Sequence, residues 1–277
     1  MHNKMISEIS QHVGQEIELK GWCYNFRSSG KIFFLQFRDG SGRVQVVFSK
    51  SEIPSDQWDQ LDLLKLESSV TVRGVVKAEP RSPSGFELTG TFFQPIQIPK
   101  EDYPLGKKEH GPDFLLDNRH LWLRAESQWA VMRVRDRIIT STYEWFHENG
   151  FVKFDTPILT PTSCEGTTEL FEMDYFVDDD NHPQPLLEKE GGRKAYLAQS
   201  GQLYLEAGIM SLGRAFDFGP VFRAEKSKTR RHLTEFWMMD AEAAFVEHEG
   251  NMAIQEALIC RIVADVLEHC AYELKVL

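Results

Sequence analysis

The sequence predicts an α+β protein in which a small β-barrel precedes a domain of helices and antiparallel strands. Between residues 16 and 98, apolar residues alternate with polar ones in short bursts rich in Val, Ile and Phe, which is strand periodicity. A segment rich in Pro, Gly and charge follows at 99–111, and an apolar stripe at helical spacing covers 126–148. The length of 277 residues, 42% of them hydrophobic, is sufficient for two separate cores.

The first domain is predicted to contain five strands and one helix. We expect the strands at 17–26, 32–37, 43–48, 70–77 and 86–98. The helix is expected at 54–66, between the third and fourth strands, with Ser55 as its N-terminal cap. This order of elements is that of an OB-fold barrel, whose second and third strands commonly bind oligonucleotides.

The second domain is predicted to begin with the long helix at 126–148, which Asn149 and Gly150 end. Its aromatic stripe is typical of core or of a subunit interface, and we assign it no chemistry. Later elements are expected at 151–154, 195–197, 221–225 and 235–245 as strands and at 251–268 as a helix. The polar segment 178–192 is predicted to be an exposed, mobile insertion.

The composition limits the classes of function. A formal charge of −11 disfavours a general nucleic-acid coat protein, so contact with nucleic acid must be local. No apolar run approaches the length of a membrane span and the N-terminus lacks a signal peptide, so a cytoplasmic protein is expected. The four cysteines lack metal-ligand spacing and are interpreted as reduced thiols, and no metal site is expected in this chain.

The segment from Val221 to Asp240 carries the strongest chemical signal. It reads as a hairpin of two strands around a cationic loop, with a guanidinium, a carboxylate and an aromatic ring on neighbouring positions. An arginine fork suits a phosphate, and an aromatic face suits an adenine ring. The alternative is a surface hairpin with ordinary ion pairs, and the charge pattern alone does not separate the two.

The segment FRAEKSKTRRHLTEF at 222–236 is similar to motif 2 of class II aminoacyl-tRNA synthetases of the aspartyl, asparaginyl and lysyl subgroup. Residues 150–157, GFVKFDTP, resemble motif 1 of that family. The resemblance implies an OB-fold anticodon-binding domain at 1–98, a linker at 99–118 and a class II catalytic domain at 119–277, incomplete because motif 3 is not seen. A C-terminally truncated chain that is inactive alone is therefore expected.

The resemblance also implies roles for individual residues. Arg223 would be the catalytic residue, holding the α-phosphate of ATP and the carboxylate of the amino acid. The ATP site would comprise Arg223, Glu225, Arg231, His232 and Phe236, with Phe236 stacked on adenine. The amino-acid site would comprise Glu165, Ser200, Gln202, Arg223 and Asp240.

The identity of the amino acid depends on the segment QSGQLYLE at 199–206. Aspartyl members resemble QSPQ followed by two residues and then a Lys that pairs with the substrate carboxylate, whereas here Gly201 replaces the Pro and Leu205 replaces the Lys. A buried aspartate side chain would then lack a counter-ion, so the pattern favours asparagine. Gln199 resembles the aspartyl pattern, and an aspartyl or non-discriminating enzyme is the alternative.

On the barrel, the resemblance implies anticodon binding by Arg27, Phe34 and Gln45. Either Phe33 or Phe34 can be barrel core, because adjacent strand residues point to opposite faces. The implied partners are ATP, asparagine, the tRNA for asparagine, tRNA(Asn), and a second copy of the chain bound through the motif 1 helix. Mg²⁺ ligands are expected beyond Leu277. A non-catalytic tRNA-binding relative remains a further alternative, whereas an amino-acid-synthesising paralogue would leave the barrel without a purpose.

Overall fold

The computed structural model divides the chain into two compact units, Met1–Arg119 and His120–Leu277. Each unit has its own cluster of buried apolar side chains. The residues that the structure describes are 4–82, 84–106, 109–164, 169–174, 194–224, 229 and 232–277.

The first unit contains a closed barrel of five strands, which confirms the predicted OB-fold order. After a 3-10 helix, Ile6–His12, come β1 (Glu16–Ser29), β2 (Ile32–Arg38), β3 (Arg43–Ser49), α1 (Ser55–Leu61), β4 (Ser69–Ala78) and β5 (Phe86–Gln97). The strands follow the order β1-β2-β3-β5-β4 around the barrel. β3 and β5 run parallel, and the other neighbouring strands run antiparallel. Closure leaves no unpaired strand edge in the barrel.

Side-chain alternation along β2 shows why this segment forms a barrel wall. Phe33, Leu35 and Phe37 are buried, with at most 1% of each side chain exposed, whereas Phe34 between them is half-buried on the outer face. This period of two is the expected geometry of a strand with one face in the core. Trp58 and Leu61 of α1 belong to the same buried cluster.

The helix between β3 and β4 is shorter than predicted. It ends at Leu61 rather than at residue 66. A turn follows it, in which the Leu64 N–H donates to the Leu61 carbonyl at 3.2 Å. Pro54 occupies the N-cap position and Ser55 is the first helical residue, so the predicted Ser55 cap is wrong. Leu61 and Leu64 are both buried in the barrel cluster.

Six helices and six strands follow the barrel among the described residues. They are α2 (Pro112–Asp117), α3 (Arg119–Trp122), α4 (Glu126–Glu148), β6 (Val152–Lys153), β7 (Leu159–Thr160), β8 (Glu172–Asp174), β9 (Lys194–Leu197), α5 (Gln202–Leu212), β10 (Arg214–Phe222), β11 (Glu235–Ala243), α6 (His248–His269) and α7 (Ala271–Val276). One sheet has the order β11-β10-β6, in which β10 and β11 are antiparallel and β10 and β6 parallel. A second, antiparallel sheet has the order β7-β9-β8.

The end of α4 matches the prediction and anchors the core of the second unit. Gly150 follows the C-cap with φ of 78°, a left-handed conformation that glycine adopts without strain. The ring of Phe146 stacks on that of Phe216 at 4.6 Å, and both join Phe151 and Leu258 in the buried cluster. The C-terminal part of the aromatic stripe is therefore core.

The second unit differs from the sequence prediction at several elements, and the short strands β7 and β8 and the helix α7 were not predicted. The strand expected at 221–225 is β10, which begins at Arg214 and ends at Phe222. The helix α5 was not predicted, because its sequence is apolar nearly all round and periodicity does not distinguish such a run from a buried strand. Residues 178–192, predicted to be a mobile insertion, lie outside the described residues.

Candidate functional site

The hairpin of β10 and β11 brings the predicted ATP and amino-acid residues to one face of the sheet. Phe236 and Asp240 of β11 are half-buried and lie on the same face, since residues two apart on a strand point the same way. Directly opposite them on β10 are Val221 and Asp217. Arg223, two residues beyond Val221, continues this face at the end of β10.

At the end of the hairpin, Arg223 and Phe236 lie together. The guanidinium carbon of Arg223 is 5.8 Å from the centre of the Phe236 ring, and the Arg223 N–H donates to the Thr234 carbonyl at 2.9 Å. A cation and an aromatic face side by side can bind a phosphate and the adjoining adenine. His232 is exposed and hydrogen-bonds Thr229. Glu225 and Arg231, predicted for the same site, lie outside the described residues.

At the other end of this face, Ser200 and Asp240 are in contact. Asp240 Oδ2 accepts hydrogen bonds from Ser200 Oγ at 2.9 Å and from the Gly201 N–H at 3.1 Å. Ser200 Oγ also accepts from the Gln202 N–H at 3.1 Å, which holds the turn that begins α5. The Phe222 N–H donates to the Ala198 carbonyl at 2.9 Å, so the 198–201 segment runs beside the hairpin.

Gln202 completes this end of the site from the first turn of α5. Its Nε2 donates to Glu206 Oε1 at 3.0 Å, and Cys164 Sγ lies 3.9 Å from Gln202 Oε1. Glu165, the predicted ligand of the substrate ammonium, follows Cys164 but lies outside the described residues.

The amino-acid end of the site is acidic, and two of its carboxylates were not singled out from the sequence. Burial raises the pKa of Glu242, and the negative charges of Glu206 and Asp240 raise it further. Such a group of carboxylates attracts an ammonium ion. The spacing offered a signal for both: Glu206 follows Gln202 by four residues on a helix, and Glu242 follows Asp240 by two on a strand.

Leu205 lies in the packed layer between α5 and the hairpin. It is 0% exposed, and α5 packs against both β10 and β11. The charge of a lysine at this position would therefore be removed from water. It would need a buried counter-ion, such as the side-chain carboxylate of a bound aspartate. A leucine supplies no charge there.

A groove of about 670 Å³ on the barrel gathers the three residues predicted to bind an anticodon, Arg27, Phe34 and Gln45. The Arg27 guanidinium lies 4.3 Å from the centre of the Phe34 ring, opposite it across β1 and β2. Phe33 is in the barrel core, so Phe34 is the outward aromatic of the pair. Exposed aromatic rings on OB-fold strands are platforms on which bases stack.

The groove also contains polar residues that were not predicted for it, namely Gln36, Glu79, Arg81, Ser82 and Glu87. Gln45 Nε2 donates to Glu87 Oε2 at 3.4 Å, because β3 and β5 pair in parallel with these residues in register. Gln36 was detectable as an outward residue two positions beyond Phe34. Glu87 was not detectable, since no local pattern gives the register of a parallel pair 42 residues apart.

Comparisons with known proteins match two family models to the chain. Residues 111–276 match the family of class II tRNA synthetases (D, K and N), and residues 17–96 match the OB-fold nucleic acid binding domain. The chain is 50% identical to an asparagine–tRNA ligase of Thermus thermophilus, over 98% of this chain and 59% of that protein. It is 49% identical to an asparagine–tRNA ligase of Streptococcus agalactiae, over 100% of this chain and 60% of that protein.

A solved structure gives the same result at the level of the fold. The crystal structure of asparaginyl-tRNA synthetase from Pyrococcus horikoshii complexed with asparaginyl-adenylate matches with a TM-score of 0.87 and 35% identity, covering 100% of this chain and 61% of that one. The chain thus spans about 60% of the length of the relatives that it matches. With a family match over residues 111–276 and an OB-fold match before it, the chain belongs to the class II tRNA synthetases of the D, K and N group.

Proposed function

We propose that the protein is an asparagine–tRNA ligase, which activates asparagine with ATP and transfers it to tRNA(Asn). The observation that carries this proposal is the hairpin face, where Arg223 and Phe236 lie at one end and Ser200 and Asp240 at the other. The similarity to two asparagine–tRNA ligases at 49–50% identity supports it.

The first reaction is attack of the asparagine carboxylate on the α-phosphorus of ATP, which forms the adenylate and releases pyrophosphate. Negative charge grows on the phosphoryl oxygens as the bond forms, and the positioned Arg223 guanidinium stabilises it. Phe236 holds the adenine ring, and the carboxylates around Asp240 hold the substrate ammonium. In the second reaction a ribose hydroxyl of the tRNA attacks the adenylate carbonyl and releases AMP. No side chain of the protein forms a covalent bond.

Asparagine is favoured over aspartate because Leu205 is buried and uncharged. An aspartate side chain bound at this end would lie beside Glu206 and Asp240 without a counter-ion. An aspartyl or non-discriminating synthetase is the second candidate, since Gln199 resembles the aspartyl pattern. A non-catalytic tRNA-binding relative is the third.

ATP–pyrophosphate exchange by the intact protein separates these candidates. We expect exchange with asparagine and little with aspartate, and Arg223→Ala should lower it by about 10²–10³-fold. Arg214→Ala is the matched control, because Arg214 begins the same strand but contacts Asn149 and Phe151 instead. Equal exchange with both amino acids would favour the second candidate, and no exchange with either would favour the third.

We propose that residues 1–98 form the anticodon-binding domain, with Phe34 as its stacking platform. In the intact protein, Phe34→Ala should raise the KM for tRNA roughly 5- to 150-fold, from the roughly 1–3 kcal/mol that one base stack contributes, and should leave exchange unchanged. Phe92→Ala is the control, since Phe92 also lies under an arginine, Arg73 at 4.7 Å, but does not line the groove. Similar KM values for both variants would contradict the assignment.

We also propose a homodimer formed through α4, in the cytoplasm. Val131, Met132 and Ile138 of this helix are 42%, 51% and 39% exposed, an apolar surface suited to a second copy. Met132→Glu should shift the intact protein toward monomer in sedimentation, whereas Leu63→Glu, at an exposed leucine of the barrel unit, should not.

No helix among the described residues is long and apolar enough to cross a membrane.

We propose Mg²⁺ as the ion that accompanies ATP. Among the described residues there is no group of three or more His, Cys, Asp or Glu side chains that could hold a metal ion.

A further inference from the structure

A buried support lies beneath the turn that forms the amino-acid end of the site. Asp217, in the middle of β10, is 7% exposed. Its Oδ1 accepts from Lys153 Nζ at 2.8 Å, and its Oδ2 accepts from Thr156 Oγ1. Burial alone would lower the pKa of Lys153, but the hydrogen bonds to Asp155 and Asp217 outweigh it and raise that pKa above its ordinary value. Lys153 is therefore a stable ammonium partner for Asp217.

The support touches the turn through Gly201. A Cβ added to Gly201 would lie 2.6 Å from Thr156 Oγ1, 2.8 Å from Thr156 Cγ2 and 3.1 Å from Asp217 Oδ2. Its backbone angles, φ −85° and ψ −3°, are open to any residue, so this close approach is what requires glycine. A proline, as in the aspartyl pattern, would meet Thr156.

The same turn is held from the neighbouring strand. Asp240, directly opposite Asp217, accepts hydrogen bonds from Ser200 Oγ and from the Gly201 N–H. Two carboxylates facing each other across a strand pair repel. The ammonium of Lys153 and the hydroxyl of Thr156 offset this repulsion at Asp217, which leaves Asp240 available to the turn and to the substrate.

We infer that Lys153, Thr156 and Asp217 form a positioning support that fixes the Ser200–Gly201 turn and thereby sets the geometry of the amino-acid pocket. The inference rests on the proposed function. Asp217 contacts both Lys153 and Thr156, and Asp217 and Thr156 lie against the turn, so we assign the three residues a positioning role through the turn. Binding of the amino acid depends on this support, and binding of ATP at the Arg223 end does not.

The test is ATP–pyrophosphate exchange by the intact protein, with separate KM values for the amino acid and for ATP. Asp217→Asn should raise the KM for asparagine by about tenfold or more, since small displacements of binding groups have effects of this size, with the KM for ATP within about twofold of wild type. Asp155→Asn is the matched control: Asp155 binds the same Lys153 Nζ at 2.5 Å, but it is 91% exposed and away from Gly201.

A steric cycle tests the same contact independently of charge. Gly201→Ala should raise the KM for asparagine, and adding Thr156→Ala should restore part of it, because the two nearest atoms that the new methyl group meets, Thr156 Oγ1 and Cγ2, are then absent. Thr156→Ala alone completes the cycle, and thermal melting shows that each variant is folded. If Asp217→Asn does not fold, the KM values of this cycle alone test the inference.

The inference is overturned if Asp217→Asn and Asp155→Asn have equal KM values for asparagine, if the KM for ATP rises as much as that for asparagine, or if Gly201→Ala behaves as wild type. If wild type responds to another amino acid, the proposed substrate is wrong and the same comparison is made with that amino acid. Wild type that exchanges with no amino acid overturns the proposed function, and this inference with it.

Discussion

The two units of this chain bury their apolar side chains to different extents. In the barrel unit, twenty buried residues form one cluster and the strands close on themselves. Among the described residues of the second unit, the corresponding cluster contains five. Large apolar residues such as Met132, Val152, Ile259, Val263 and Leu267 are between 44% and 62% exposed there.

This difference separates a closed barrel that buries its own apolar face from an open sheet whose helices leave large apolar side chains exposed. A closed barrel satisfies the backbone groups of all its strands and buries one side of each. In an open sheet with exposed apolar helices, the same residues serve both stability and binding. Apolar surface that a partner covers cannot also be buried in the unit's own core. Substitutions in the barrel should therefore separate cleanly into core and binding effects.

The largest expected effect is on barrel stability. Phe33→Ala should reduce the free energy of unfolding by about 3–5 kcal/mol, since Phe33 is 1% exposed in the larger cluster. Phe34→Ala, one residue away on the outer face, should change it by less than about 1 kcal/mol. Urea unfolding of the two variants, followed by circular dichroism, measures both values. Equal losses of unfolding free energy in the two variants would mean that Phe33 and Phe34 do not lie on separate core and binding faces of the barrel.

Truncation in the smaller cluster should have a smaller effect. Leu258→Ala on α6 should cost about 2–3 kcal/mol, the lower part of the range for leucine, because a thinly packed site can collapse around the missing atoms. Leu35→Ala, at 0% exposure in the barrel, should approach about 5 kcal/mol. A larger loss for Leu258→Ala, measured by the same unfolding experiment, would reverse the comparison.

The second unit should also show an acid-sensitive contribution from the ion pairs between α4 and α6. Burial alone would raise the pKa of Asp265, but hydrogen bonds from Ser141, Arg261 and Arg137 outweigh it and lower the pKa to about 2. Because the folded-state pKa lies below the ordinary value of 3.8, this contribution is present above about pH 4 and is lost as the pH falls through about 2.

Asp265→Asn should accordingly be less stable than wild type at pH 7, and the difference in Tm should narrow as the pH falls below about 4. Glu256→Gln provides the control, since Glu256 is an exposed acid on the same helix. A difference that is constant between pH 7 and pH 3 would show that the Asp265 charge does not contribute to folding.

The smallest effect concerns thiol reactivity. Cys23 is 0% exposed in the barrel, and burial, followed by the nearby charge of Glu67, raises its pKa to about 12. At pH 8 only about one thiol in ten thousand would then be the reactive thiolate. Cys260 on α6 is exposed. Iodoacetamide should label Cys260 in the folded protein and Cys23 only after unfolding. Peptide mass spectrometry would detect which cysteine is labelled. Labelling of Cys23 in the folded protein would show that the barrel opens.

The barrel was predictable from the sequence because alternation along a strand is a local property. The long helix and its Gly150 end were predictable for the same reason. The limits of β10 and the existence of α5 were not, since both segments are apolar without a clear period. Within the candidate site, Arg223, Phe236, Ser200 and Asp240 were named from motifs, but their partners were not.

Those partners depend on contacts between distant parts of the chain. Lys153 and Asp217 are 64 residues apart, and nothing in the residues around either one indicates the other. Gln45 and Glu87 meet because the barrel closes in parallel between β3 and β5. Register and closure are tertiary properties, and they determine which polar residue comes to lie beside a predicted one.

The regularity of β10 limits how this sequence can change in evolution. Asp217 and Arg223 are six positions apart at the two ends of the site, which at roughly 3.3 Å per residue separates them by roughly 20 Å. Inserting or deleting one residue between them would turn Arg223 to the opposite face of the sheet as well as move it along the strand. Length variation is thus excluded from this strand even where side-chain substitutions are tolerated, so homologous genes should align through it without gaps.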